Sequence, residues 1–184
     1  MKTDVTRVMV EEHKLILRMI ALVEKNTALL EAGRFRHWQF YLDAVDFIRN
    51  YADRYHHAKE EDVLFVELIR NGMPEKNSPI EAMHMEHEQG RAHVRAVEEA
   101  AQKALAGEPG QGAVIAEHAR GYAELLRGHI AKEDDILYPL AERVLPEEVR
   151  PGMLAAYEQA EARTPGLEEK YRLMVEGYEA QAAV

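Results

Sequence analysis

At 184 residues the chain has room for one domain with an appendage, and not for two full domains. Its 47% apolar and 30% charged composition excludes a disordered polymer and suits long helices with solvated outer faces. A formal charge of −10, with no Lys/Arg cluster to offset it locally, excludes a nucleic-acid partner by repulsion.

The N-terminal segment MKTDVTRVMVEEHK has neither the apolar block nor the small-residue cleavage site of a signal peptide. Arg18 interrupts the only long apolar stretch nearby, so no membrane segment is expected and the protein reads as soluble and cytoplasmic. A first helix is predicted from about Asp4, a good N-cap, to Glu31, and a second from about Phe35 to Arg70, closed by Asn71-Gly72. Ser78-Pro79 supplies an N-cap and a first-turn proline for a third helix that ends before Gly107. The fourth spans about Gln111 to Arg143. After Pro146, two shorter helices divided at Thr164-Pro165-Gly166 read as a cover or brace without chemistry of their own. Connections this short make neighbours antiparallel. The expected architecture is all-α: an up-and-down antiparallel four-helix bundle over residues 1–145, with a C-terminal helical extension, residues 146–184, packed on it.

Placing each residue at about 100° per position shows which histidines face inward. On the fourth helix, His129 and Glu133 fall in the middle of the stripe Ile115, Ala119, Tyr122, Leu125, Leu126, Ile136, Leu137 and Leu140. On the third, His87 lies within Ile80, Met83, Val94, Ala101 and Leu105, with Gly90 almost beside it and His84 at the rim. His13 shares a face with Met9, Ile16, Ile20 and Val23. The second helix offers two His-x-x-x-Glu pairs, His57 with Glu61 and His56 with Glu60. The stripe Leu64, Phe65, Leu68 favours His57 and Glu61. The preceding stripe Val45, Ile48, Ala52, Tyr55 points about half a turn away, which demands a kink, bulge or change of neighbours near Asp53 to His56. His37 and His93 read as surface residues, and His118 as a core or hydrogen-bonding group below His129.

Axial position is an independent test. Counted from the helix ends that an antiparallel bundle brings together, His13, His57, Glu61, His87, His129 and Glu133 agree within about five residues, roughly 7 Å. The pairs His13/His57 and His87/His129 are separated by 44 and 42 residues, and HAKEED and HIAKEDD are nearly the same word, as if one helix pair were used twice. Burying two carboxylates and four imidazoles in an apolar core costs several kcal/mol per ion unless a cation compensates. The chain has no cysteine, so donors are limited to nitrogen and oxygen, a set that suits iron, manganese or zinc, and two opposed carboxylates can each bridge two metals.

The words VEEHKLI, ADRYHHAKEEDVLF, MEHEQGR and RGHIAKEDDILYP resemble the hemerythrin-like, or HHE cation-binding, family over roughly residues 5–142. That resemblance implies a non-haem di-iron centre in a four-helix bundle: two iron ions bridged by two carboxylates and an oxo or hydroxo group, with O2, NO or peroxide as ligands. Oxygen-carrying members have five histidines, two of them spaced along the third helix, whereas His87 has Met83 and Arg91 at the equivalent offsets. One histidine is therefore expected to be missing, its place taken by His84 or a water. The carriers also use an Asp five residues after the last histidine, which here is Asp134. The leading expectation is a di-iron protein that binds a small diatomic or peroxide ligand for sensing, storage or detoxification. A di-iron enzyme with peroxidase-like, catalase-like or NO-reducing activity is the alternative, motivated by the open position, and a non-catalytic regulatory bundle is a third class.

Overall fold

Capping chemistry sets the helix boundaries in a computed structural model that describes residues 3–182. Asp4 Oδ1 accepts hydrogen bonds from the backbone N–H of Thr6 (3.0 Å) and Arg7 (2.9 Å), and α1 (Arg7–Glu31) follows. The second helix starts later than Phe35: residues 34–37 are not helical, and the Phe35 ring instead packs edge-on against Phe40 and Tyr41. It comprises α2 (Trp38–Phe47), a wide-turned segment π1 (Ile48–His57), a second one π2 (Glu60–Leu64), and α3 (Phe65–Arg70). Gly72, at φ 96°, reverses the chain in a left-handed conformation open to glycine at little cost. Ser78 Oγ accepts from Glu81 N–H while the Glu81 carboxylate accepts from Asn77 N–H, a reciprocal cap that opens α4 (Pro79–Leu105). The fourth helical run is α5 (Gln111–Lys132), π3 (Glu133–Leu137) and α6 (Tyr138–Val144), followed by α7 (Arg150–Ala162) and α8 (Leu167–Ala182). No strand occurs among the described residues.

The irregularity expected near Asp53 to His56 is real and longer than a kink: π1 spans ten residues, and its wider turns absorb the half-turn disagreement between the flanking apolar stripes. The π3 segment was not foreseen. Pro139 lacks an N–H and would clash with the carbonyl four residues back in a regular α-helix, so the turn before it widens.

Cross-helix pairs define the packing. Glu24 meets Arg127 and Glu31 meets Arg120 between α1 and α5. Arg49 meets Glu98, Asp53 meets Arg91 and Phe65 meets His84 between the second helix and α4. Glu86 meets Lys132, Gly90 approaches Tyr122 and His93 meets His118 between α4 and α5. Thr27 meets Tyr41 and Glu12 meets Lys59 between α1 and the second helix. In every one of these pairings residue numbers rise along one helix as they fall along the other.

The result is a helical bundle whose apolar interior is divided in two. One cluster includes Ile16, Met19, Tyr41, Phe47, Ala52, Val94, Ala101, Tyr122 and Ile130. The other includes Met9, Leu64, Phe65, Leu68, Ile80, Met83, Leu137 and Tyr138. On each of the four main helical runs the gap between the clusters is occupied by buried His, joined by a buried Glu on every run but α4. The C-terminal helices pack on both halves: Met153 and Tyr157 of α7 join the second cluster, Tyr171 and Val175 of α8 the first. Arg150, fully buried, bonds to Glu142 and to the Leu145 carbonyl, and Arg18 clasps Glu179 at 2.7 Å. No helix among the described residues is long and apolar enough to cross a membrane.

His118 is a hydrogen-bonding group, as expected, and its partner is His93, which is half-buried and not the surface residue its position suggested. His118 is half-buried too, and its Nδ1 lies 3.1 Å from Nδ1 of His93. The space for this pair comes from Gly121, in the middle of α5: a Cβ there would stand 2.5 Å from His93 Cε1. An interior glycine costs a helix about 1 kcal/mol relative to alanine. Gly121→Ala should therefore stabilise the protein by about 1 kcal/mol when His93 is also alanine, and should lose most of that gain when His93 is present. A double-mutant cycle by urea denaturation measures the difference.

Candidate metal centre

Five imidazoles and two carboxylates meet in the layer between the apolar clusters. His57, Glu60, His87 and His129 offer donor atoms within 4.8 Å of one another, and so do His13, His56 and Glu133; all seven residues are buried. His13 comes from α1, His56 and His57 from the end of π1, Glu60 from the start of π2, His87 from α4, His129 from α5 and Glu133 from the start of π3. The inward nitrogens form two close pairs. His13 Nε2 is 3.0 Å from His56 Nε2, and His87 Nε2 is 3.0 Å from His129 Nε2. Glu133 spans both pairs, with Oε1 3.0 Å from His129 Nε2 and Oε2 3.3 Å from His13 Nε2. Glu60 Oε2 lies 3.5 Å from His87 Nε2 and 3.9 Å from His56 Nε2.

Four of the five rings are held from outside by carboxylates on Nδ1: His13 by Asp134 (2.9 Å), His56 by Glu12 (2.8 Å), His87 by Glu61 (2.6 Å) and His129 by Glu86 (2.9 Å). A carboxylate on Nδ1 selects the tautomer that protonates Nδ1 and turns the Nε2 lone pair inward. Lys59 bonds Glu12, and Lys132 bonds Glu86. Tyr138 stacks on His13 (5.7 Å between centroids) as Phe65 does on His87 (6.2 Å), and the Tyr138 hydroxyl donates to Glu60 Oε1 at 2.6 Å. The helix pair is thus used twice, with Glu12-His13 answering Glu86-His87, and His56, Lys59, Glu60, Glu61 answering His129, Lys132, Glu133, Asp134. His57 has no counterpart; Ile130 occupies that position.

Two sequence-based expectations change. Glu61 does not enter the buried group. It is 24% exposed and accepts from His87 Nδ1 and from Arg91 (3.0 Å), while Glu60, completely buried, takes the inner place. The widened turns on either side of Ala58-Lys59 are what bring Glu60 inward with both adjacent histidines. Nor is a fifth imidazole missing, because His56 and His57 both face the centre. His84 packs on Phe65 at the rim, near Glu61 and His87. A signal for this was present in the sequence. Aligning AKEEDVLF (58–65) with AKEDDILY (131–138) sets Glu60 against Glu133 and His56 against His129. Anchoring the comparison on His57 shifted it by one residue. Glu12, Glu86 and Lys59 were missed because a charged residue flanking a histidine looks like a solvated face.

The electrostatics of the group describe a deficit of positive charge. Burial, together with the charge of Glu133, pushes the Glu60 carboxyl well above the usual range. Burial opposes ionisation of Glu133 too, but the imidazoles of His129 and His13 outweigh it and hold this carboxyl well below that range. His13 is lifted to about 9: burial works against its charge, and contacts with Asp134 and Glu133 overcome it. Burial drives His57 and His87 down to about 4. Three carboxylate oxygens, Glu60 Oε2 and both of Glu133, are buried without a hydrogen-bond partner, since the inner imidazole contacts lack hydrogen-bond alignment. Unpartnered buried carboxylate oxygens facing imidazole lone pairs fit divalent cations, with nitrogen and oxygen donors only.

No curated protein and no solved structure matches the chain significantly. The model of the hemerythrin HHE cation-binding domain matches residues 4–141, which include all seven inner residues and every outer carboxylate that orients a ring. The chain therefore belongs to the hemerythrin HHE cation-binding domain family.

Proposed function

We propose that the protein is an up-and-down antiparallel four-helix bundle that holds two iron ions, and that it binds O2 or a related small ligand, NO or peroxide, for sensing, storage or detoxification. The observation that carries this reading is the set of three unpartnered carboxylate oxygens between the two imidazole groups. One ion would be held by His57, His87 and His129 and the other by His13 and His56, with Glu60 and Glu133 shared. Five imidazole nitrogens and three free carboxylate oxygens would supply nitrogen and oxygen donors only, a set that suits iron. The counter-running residue pairs of the four main helical runs support the bundle topology.

The two ions would supply reversible electron exchange with a bound oxidant. The protein contributes orientation and exclusion. Four outer carboxylates fix ring tautomers, Tyr138 fixes Glu60 through Oε1 and leaves Oε2 facing inward, and apolar clusters flank the layer on either side.

Purified protein grown with iron should contain about two irons per chain, and air oxidation of the reduced form should produce near-ultraviolet charge-transfer bands. At a free-metal level about 100-fold above Kd each bound ion adds about 2.7 kcal/mol, so stripping both should lower Tm by roughly 10–20 °C, restored by ferrous iron. A metal-free protein of equal stability would sink the reading. Glu60→Gln and Glu133→Gln should each lose iron, whereas Glu61→Gln should keep two irons with about ten-fold or more weaker affinity, as expected for a residue that only orients His87. Metal analysis after dialysis against a graded chelator reads the contrast, and the reverse order would return the inner place to Glu61.

A further inference from the structure

A cavity of about 210 Å³ enters the bundle between the second helix, α4 and α5, and ends against His57, His87 and His129. It is far larger than a diatomic ligand needs: an engineered cavity of about 150 Å³ already holds benzene. Its walls are apolar, from Ile48, Val94, Leu125 and Leu126, with the buried Tyr122 ring held close by Gly90, where a Cβ would come within 3.3 Å of it. At its inner end stands His57, the one imidazole of the five without a carboxylate bonded to Nδ1. Asp53 Oδ1 is 3.5 Å away, too long for an effective bond, and that carboxylate is gripped by Arg91 at 2.6 Å.

The outer end is basic. Arg49 and Arg91 line it but are neutralised by Glu98 and by Asp53, Glu61 and Glu88. Arg54 and Arg95 also line it and are exposed, and neither makes an ion pair among the described residues; Arg54 has a single 3.3 Å bond to Asn50. In a chain of net charge −10, two unpaired guanidinium groups beside one cavity mark the place where an anionic group is accepted.

We propose that this cavity binds a small organic carboxylate of roughly ten non-hydrogen atoms. Its carboxylate lies at Arg54 and Arg95, and its apolar body fills the cavity as far as His57, His87 and His129. The assignment deepens the di-iron reading and rests on it, because it brings an organic molecule to the three-histidine side of the centre.

Benzoate and 4-hydroxybenzoate are of a size that this volume holds, and phenol lacks the carboxylate. Calorimetric titration of the iron-loaded protein should show saturable binding of both carboxylates and about ten-fold or more weaker binding of phenol. Arg54→Ala combined with Arg95→Ala should weaken the carboxylates about ten-fold or more and leave phenol affinity and iron content unchanged. Leu125→Trp, which fills the cavity, should abolish binding of all three with iron retained. Absence of saturable benzoate binding overturns the proposal, and so does equal affinity in the double arginine variant. An iron spectrum that benzoate shifts equally in that variant would put the carboxylate on the metal and overturn it too. Iron content of the same samples separates the two readings: two irons without carboxylate binding removes the cavity assignment alone, and carboxylate binding without iron removes the di-iron reading alone.

Discussion

Glu60 and Glu133 are completely buried between five imidazoles, and this layer of unsatisfied charge is the constraint around which the bundle is arranged. A buried carboxylate costs several kcal/mol unless it is paired and hydrogen-bonded, and three of these four oxygens have no hydrogen-bond partner. Polypeptide alone compensates poorly. His13 is lifted to about 9, and the two carboxyls part, Glu60 pushed up by burial and by Glu133 while Glu133 is pulled down by the imidazoles. The apolar clusters on both sides lower the polarity around the layer, and low polarity is what makes a divalent cation so much more favourable there than in water. Membership of a cation-binding family and the electrostatics of the layer thus have one physical basis.

The duplicated helix pair explains how so many charged groups are placed with so few special elements. Each half supplies a Glu-His step on one helix and a His, Lys, Glu, acid series on the next. Each half also orients rings of both: Glu12 turns His56 within its own half, while Asp134 reaches across to His13. Removing either half would leave the other with unheld imidazoles. The symmetry breaks at His57, where the second half has Ile130, and at Tyr138, where the first half has Phe65. Both breaks matter to the centre, because one adds a donor facing the cavity and the other ties Glu60 by its outer oxygen.

The C-terminal helices do more than cover apolar surface. Glu161 of α7 bonds Lys59 at 2.8 Å, Lys59 bonds Glu12, and Glu12 holds His56. Lys59 is fully buried and lies over the Tyr55 ring at 3.8 Å, so its charge is satisfied only by this arrangement. A hydrogen-bonded path therefore connects the last part of the chain to one of the inner rings, although the tail contributes no donor to the centre.

Composition, breakers and periodicity were enough to determine an all-helical chain, the capped starts of α1 and α4, the inward facing of His13, His87, His129 and Glu133, and their common level. Each of these depends on regular geometry, in which 100° and 1.5 Å per residue translate spacing directly into position. Residues 48–64 escape that arithmetic. There the backbone leaves the α-helical repeat for wider turns, and a fixed angle per residue accumulates error until Glu61 replaces Glu60 and one of two adjacent histidines is turned away. The repeated AKE word aligns Glu60 with Glu133, but only the tertiary structure could decide that both His56 and His57 face inward and that Glu12, Glu86, Glu61 and Asp134 hold the rings from outside. Those choices are made by contacts between helices distant in sequence, and the energy of a buried charge depends on its neighbours in space rather than along the chain.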